Sequence, residues 1–139
     1  MAPAPALRYL LDTNICIFII KNKPAAVRAR FDALRPGEVG ISAMTEAELL
    51  YGAHKSARVE SNLAAVLDFS AQVEVVPFDR QVTEAYGQLR TELERQGRPI
   101  GPLDFQIAAT ALAYRLPLVT NNTGEFRRVP GLRVEDWTV

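Results

Sequence analysis

Short apolar runs alternate with amphipathic stretches along the whole chain. Leu7 to Leu11 is an apolar run that stops at Asp12-Thr13-Asn14, after which Ile15, Ile19 and Ile20 recur at helical spacing until Pro24. A second helix is expected from Pro24, which suits a first helical position, to Leu34, where Arg35-Pro36-Gly37 breaks it. Val39 to Ile41 reads as a strand. Ser42 can cap a helix running through Tyr51 towards His54, and Ala57 to Phe69 has the composition of another. Val73 to Val76 returns as strand. Asp79 then caps a long helix with Val82, Ala85, Tyr86, Leu89 and Leu93 on one face, ended by Gly97 and Pro99. Leu103 to Arg115 is helical, Leu118 to Thr120 a strand, Asn122 to Arg128 a helical turn and Leu132 to Glu135 a last strand.

Unalternated apolar strands such as Leu10-Leu11 and Leu118-Val119, separated by helices, imply an α/β fold. A mainly parallel central sheet of four or five short strands, with helices on both faces, is expected. Ligands of such sheets sit beyond the carboxyl ends of strands. Asp12 and Thr120 to Asn122 should share that edge.

With 139 residues, 48% of them hydrophobic, the chain suits one domain and one core, expected over residues 7–139 behind a flexible leader at 1–6. Sixteen basic residues cancel sixteen acidic ones, so net charge says nothing about a polyanionic partner. The single cysteine, Cys16, forms no internal disulfide, and no run approaches the roughly 20 apolar residues of a membrane span. A reducing, cytoplasmic setting without a membrane is expected.

Acidic residues stand at positions that should be dry. Asp12 ends an apolar strand, where a turn or helix cap is the plain alternative, and Asn14 has the same ambiguity. Asp104 shares a helical face with Ile107, Ala108 and Ala111; complementing the helix dipole explains its place in the first turn but not the face it occupies. Glu48 could return to Thr45 in a capping box, and Glu46 rivals it for any catalytic role, since both border the apolar sector of their helix. Asp79 is read as a helix cap and left out.

Carboxylates gathered in one dry cavity repel one another, and a divalent cation is the ordinary remedy. A glycine-rich phosphate loop is absent, and one cysteine with one histidine, His54, cannot build a zinc cluster or a nucleophilic triad. Oxygen-ligand chemistry with magnesium or manganese remains.

Four segments in order, Leu11 to Asn14, Thr45 to Gly52, Gly97 to Asp104 and Val119 to Phe126, resemble the PIN-domain ribonucleases, specifically the VapC toxins of bacterial toxin–antitoxin pairs. The likeness covers nearly the whole chain, and the run Asn14 to Pro24 is similar to the enteric branch. It implies a single PIN-like domain with an acidic metal site of Asp12, Glu48 and Asp104, selecting Glu48 over Glu46 through the following Leu-Leu-Tyr-Gly. Asn122 stands where the wider family often has a fourth acid.

The resemblance implies a Mg2+- or Mn2+-dependent endoribonuclease in which Asp12 and Asp104 hold the metal, Glu48 orients or deprotonates water, and Asn122 joins the catalytic set. Thr13, Asn14 and Thr120 would supply hydrogen bonds. Lys21, Lys23, Arg90, Arg95 and Arg98 are candidate RNA contacts, each equally readable as a solvated surface charge. A structured RNA is the implied substrate, with initiator tRNA cut in its anticodon loop suggested by the enteric-like run. A homodimer and a cognate VapB antitoxin are the implied partners. Two rivals stand beside this reading: a phosphoacceptor signalling domain, which needs a lysine after a late strand, and a catalytically silent metal-dependent RNA-binding module.

Overall fold

The computed structural model describes residues 6–139, so the leader assigned to residues 1–6 lies, Ala6 apart, outside the described residues. In chain order the elements are β1 (Tyr9–Leu11), α1 (Thr13–Lys21), α2 (Ala25–Asp32), β2 (Val39–Ser42), α3 (Ala43–Lys55), α4 (Val59–Ser70), β3 (Glu74–Val76), α5 (Arg80–Arg95), α6 (Pro102–Ala113), β4 (Leu118–Val119), α7 (Thr123–Phe126) and β5 (Val134–Glu135). The strands form one sheet in the order β3-β2-β1-β4-β5, every pair parallel. The expected α/β architecture is therefore present with five strands.

Alternation of side chains along each short strand builds two cores. Leu11, Ile41 and Val119 point to one face, where Ile15 and Ile19 of α1, Phe31 of α2, Leu49 of α3 and Phe69 of α4 cover them. Leu10, Val76 and Leu118 point to the other, under Leu89 and Leu93 of α5, Phe105 and Ala108 of α6 and Phe126 of α7. Helices on both faces explain why β1 and β4 are apolar at consecutive positions. Gly40 serves the close packing of this second face: a Cβ there would stand 3.2 Å from Val76 Cγ2 and 3.4 Å from Leu7 Cδ2.

Several boundaries differ from the sequence reading. Pro24 precedes its helix as the N-cap instead of opening it. The break at Arg35-Pro36-Gly37 is a 3-10 turn, Pro36–Glu38, in which Glu38 accepts from the Arg35 backbone and pairs with Arg8 and Arg35. Helix α6 stops at Ala113 because Arg115 takes a left-handed φ of 56°. Thr120 follows β4 and Asn122 precedes α7, each one step outside the element assigned to it.

One helix cap bears on the framework of the site. Asp79 accepts from Val82 N–H at 3.1 Å, as its cap reading requires, and also from the Tyr114 hydroxyl, which ties the start of α5 to the end of α6. The two helices consequently form an antiparallel hairpin that turns at Gly97, with φ of 68°, and α6 starts again at Pro102 with Asp104 in its first turn. Among the described residues no helix is long and apolar enough to cross a membrane.

Candidate active site

The parallel register brings the carboxyl ends of four strands level. Leu11 pairs with Ile41 and with Val119, and Val119 with Glu135, so Asp12, Ser42, Thr120 and Asp136 emerge at one edge. The Asp12 backbone stays in the ladder by donating to Val119 O at 3.0 Å. A cleft of about 370 Å3 opens there, lined by Asp12, Thr13, Asn14, Glu48, Gly101, Pro102, Leu103, Asp104 and Ile107. Three carboxylates, from the turn after β1, from α3 and from α6, separated by tens of residues in sequence, meet in it.

Asp12 is the helix cap its plain alternative describes, and it also lines the cleft. Oδ1 caps α1 by accepting from Ile15 N–H at 2.9 Å, while Oδ2 accepts from the buried Thr120 hydroxyl. Each oxygen keeps a further lone pair for the cleft. Burial pushes the Asp12 carboxyl up, the Thr120 and Ile15 donors oppose that, and the charges of Asp136 and Glu48 add to the rise.

Glu48 makes no capping box with Thr45, because Ser42 is the N-cap of α3 and accepts from Thr45 N–H at 3.0 Å. The Thr13 hydroxyl donates instead to Glu48 Oε1 at 2.9 Å, and Thr45 Oγ1 lies 3.2 Å from both Thr13 Oγ1 and Ser42 Oγ. A line of hydroxyls thus aims Glu48 at the cleft. Glu46 turns away to accept from the Ser70 hydroxyl of α4 at 2.7 Å. Two acids that periodicity left equivalent are separated by these contacts.

Asp104 is half-buried on the first turn of α6, and its carboxyl is pushed up to about 6 by burial, then by the charges of Glu125, Asp12 and Glu48. Glu125, from α7, was not among the expected site residues. Its Oε1 accepts from Gly101 N–H at 2.8 Å and its Oε2 from Asn122 Nδ2 at 2.7 Å, and these donors hold its carboxyl below the usual range. The spacing Asn122-x-x-Glu125 at the start of a helix was the available signal.

Asn122 does not line the cleft. Its side chain is spent on Glu125, while its backbone N–H donates to Thr120 Oγ1 at 3.0 Å. Thr13 and Asn14 lie in the cleft wall, and Thr120 lies beneath it as the donor to Asp12. None of the five expected RNA contacts lines the acidic cleft. Lys21 lines the adjoining groove that also reaches Glu48, Lys23 is exposed beyond the end of α1, and Arg95 borders a shallow depression on α5. Arg98 is exposed, and Arg90 lies over the Tyr86 and Phe105 rings, paired with Glu94.

Carboxylates and amides suit a hard divalent ion, and the upward push on Asp12 and Asp104 is the electrostatic strain that such an ion relieves. Among the described residues no three acidic, histidine or cysteine side chains close directly around one point. Magnesium, which keeps several waters and takes one or two carboxylates, fits that spacing. A phosphoacceptor site would want a lysine here, and none lines the cleft.

Comparison with known proteins bears on the family and the fold. The PIN domain model matches residues 9–132. The chain is 53% identical over 132 residues to the tRNA(fMet)-specific endonuclease VapC of Shigella flexneri, covering 95% of this chain and 99% of that one. It is 41% identical over 131 residues to ribonuclease VapC2 of Haemophilus influenzae strain Rd, covering 94% and 98%. Among solved structures, DNA-bound VapBC of Salmonella typhimurium superimposes with a TM-score of 0.90 at 49% identity, over 94% of this chain and 98% of the other. The VapBC2 complex of Rickettsia felis gives a TM-score of 0.88 at 39% identity, over 94% and 99%. From strand order, acid placement and these likenesses together, the chain belongs to the PIN-domain family, within its VapC ribonuclease branch.

Proposed function

We propose that the protein is a Mg2+- or Mn2+-dependent endoribonuclease toxin. The observation that carries this reading is the meeting of Asp12, Glu48 and Asp104 in one open cleft at the sheet edge, with two of the three driven towards protonation when no cation balances them. Asp12 and Asp104 would hold the ion. A bound divalent ion supplies charge against the phosphate in the transition state and acidifies water. The protein contributes the rest: Thr13 fixes one oxygen of Glu48, so that the other faces the cleft to orient and deprotonate the attacking water. Thr120 and the start of α1 keep Asp12 in place, and Asn14 offers an amide at the rim. Attack by water leaves a 5′-phosphate and a 3′-hydroxyl.

The name of the Shigella relative supports initiator tRNA as substrate, and the solved complexes support a VapB antitoxin as partner. Lys21, beside Glu48 in the neighbouring groove, together with Lys23, Arg90, Arg95 and Arg98, would meet the RNA backbone at the rim. A homodimer acting in the cytoplasm completes the reading.

The test is cleavage of total RNA and of initiator tRNA by purified protein with magnesium, manganese or chelator, comparing wild type, Asp12→Asn and Asp104→Asn, with both ends of each product mapped. Metal-dependent cleavage by wild type alone, leaving 5′-phosphates, is expected. Equal cleavage by all three proteins, or 2′,3′-cyclic phosphate ends, would overturn the proposal.

A further inference from the structure

The cleft that gathers the three acids is lined by two unlike sets of residues. Thr13, Asn14 and Glu48 bring polar groups from α1 and α3, whereas Gly101, Pro102 and Leu103 lead into Asp104 at the start of α6, with Ile107 one turn further on. Of the five large apolar side chains exposed among the described residues, Tyr51, Leu67, Phe78, Leu103 and Val139, only Leu103 lines this cleft. It is 37% exposed and Pro102 beside it is exposed too, although α6 then buries Phe105, Ile107 and Ala108 in the core.

One exposed leucine is ordinary on a protein surface. Here the position gives it a meaning. The Gly101 backbone passes so close to Asp104 that a Cβ there would lie 3.5 Å from Asp104 Oδ2, so the Pro102-Leu103 step adjoins the carboxylate assigned to the metal. Neither side chain can donate or accept a hydrogen bond, and no lysine or arginine lines the cleft. This surface has nothing to offer a phosphate, which the neighbouring carboxylates also repel. The bases that flank a phosphate held at Asp12 and Asp104 are neutral, with apolar faces, and single-stranded RNA is read with such bases turned out against protein side chains.

We propose that Pro102 and Leu103 seat a nucleobase next to the scissile phosphate, which makes Leu103 a specificity-determining residue. The inference rests on the ribonuclease reading above for its ligand, and deepens it by locating where the substrate's bases lie. A seat without hydrogen-bonding groups reads the area of a base and not its edge, so it accepts every base and favours a purine over a pyrimidine. It also calls for an unpaired nucleotide at the cut, since a base stacked within a duplex has no free face to lay against it.

The experiment is a cycle between protein and substrate. Wild type, Leu103→Ala and Leu103→Phe, each as the full chain, are given initiator tRNA anticodon stem-loops, intact or with one loop base removed at each position in turn. Covering the exposed part of a leucine such as Leu103 is worth about 10-fold in affinity. Leu103→Ala should therefore raise KM for the intact stem-loop by about 5- to 15-fold with kcat within about twofold, since a contact made equally in ground and transition states acts on KM alone. Removing the seated base should cost wild type about the same factor, and Leu103→Ala almost nothing. Leu103→Phe should restore the dependence on that base, because a ring offers it a stacking face. A leucine that only packs to place Asp104 would behave otherwise: its loss would lower kcat and raise the Mg2+ requirement, equally for intact and abasic RNA.

Finding no loop base whose removal is masked by Leu103→Ala, or a fall in kcat with KM unchanged, would overturn the proposal. Unchanged RNA kinetics in Leu103→Ala, with weaker self-association or weaker antitoxin binding, would also overturn it and assign the surface to a protein partner. Failure of the nuclease reading looks different: wild type would then cleave no stem-loop with Mg2+ or Mn2+, while fluorescence anisotropy of the same RNAs would still show whether Leu103 and one base are coupled in binding.

Discussion

Replacing Asp104 with asparagine should make the metal-free protein more stable while abolishing its activity. The Asp104 carboxyl titrates at about 6 in the folded chain, against 3.8 for an ordinary aspartate, because burial and the charges of Glu125, Asp12 and Glu48 all disfavour its ionised form. That difference is about 2 units, each unit corresponding to about 1.4 kcal/mol, which bounds the destabilisation at neutral pH near 3 kcal/mol. Asp104 is only half-buried, so solvent screening reduces the expected figure to about 1–1.5 kcal/mol. For a chain of 139 residues, 1 kcal/mol moves Tm by about 3–4 °C, giving a gain of about 3–6 °C for Asp104→Asn at pH 7.5 in chelator.

The sign follows from proton counting. A carboxyl whose folded pKa is raised binds more protons in the folded state between 3.8 and about 6, so stability falls as pH rises through that window. The stability gap between variant and wild type should be full above pH 6 and close below about pH 4, where both side chains are neutral. Adding Mg2+ should reverse the order, since a ligand at about 100 times its Kd stabilises by about 2.7 kcal/mol only the protein that binds it. The assay is thermal unfolding of both proteins from pH 4 to 8, with chelator and with Mg2+. A variant no more stable than wild type at pH 7.5 in chelator would show that Asp104 carries no electrostatic strain, and the case for a cation in the cleft would lose its main support.

Three further outcomes are expected. Glu48→Gln should reduce cleavage by about 100- to 10,000-fold, as loss of a general base does, whereas Glu46→Gln should leave the rate near wild type because that acid faces Ser70; equal losses in a single-turnover RNA assay would contradict the contacts of α3. Thr120→Val should destabilise the metal-free protein by about 1–3 kcal/mol in urea unfolding, because it removes the fully buried hydroxyl that donates to Asp12 Oδ2 and accepts from the Asn122 N–H, and a neutral result would refute that bonding. Glu38, buried between Arg8 and Arg35 and held down to about 2 by them, should contribute stability fully above its ordinary 4.5 and lose that contribution as pH falls towards 2. Urea midpoints of Glu38→Gln and wild type should therefore differ at pH 6 and converge near pH 2; a constant gap would exclude the ion pairs as its cause.

Elements whose signals are local were legible in the sequence. The apolar dipeptides of β1 and β4, the caps Ser42 and Asp79 and the face of α5 all come from spacing within a few residues, and the structure has each of them. Boundaries failed where a single backbone angle decided them, as at Arg115, or where a side chain from far away stabilised a turn, as Arg8 does for Glu38. The site follows the same rule. Asp12 and Asp104 announce themselves by standing at the ends of apolar elements, but the preference for Glu48 over Glu46 depends on Thr13 and Ser70, which reach α3 from 35 and 24 positions away. Only resemblance could supply that choice before the structure did.

Asn122 shows a subtler failure, in which the position was right and the role was not. Its place after β4 puts it at the acidic edge, yet its amide is consumed by Glu125 three residues later. The negative charge that an acid at 122 would have supplied is not missing from the neighbourhood, because Glu125 brings one against Asp104 from behind Gly101. The two acids proposed to hold the metal consequently differ in how their charge is supported. Asp12 has donors on both oxygens that offset its burial, whereas every influence on Asp104, Glu125 included, pushes its carboxyl up. Under the proposed reading Asp12 would be the steadier ligand and Asp104 the group whose charge a cation would have to balance, which is why substitution there should release strain while removing function.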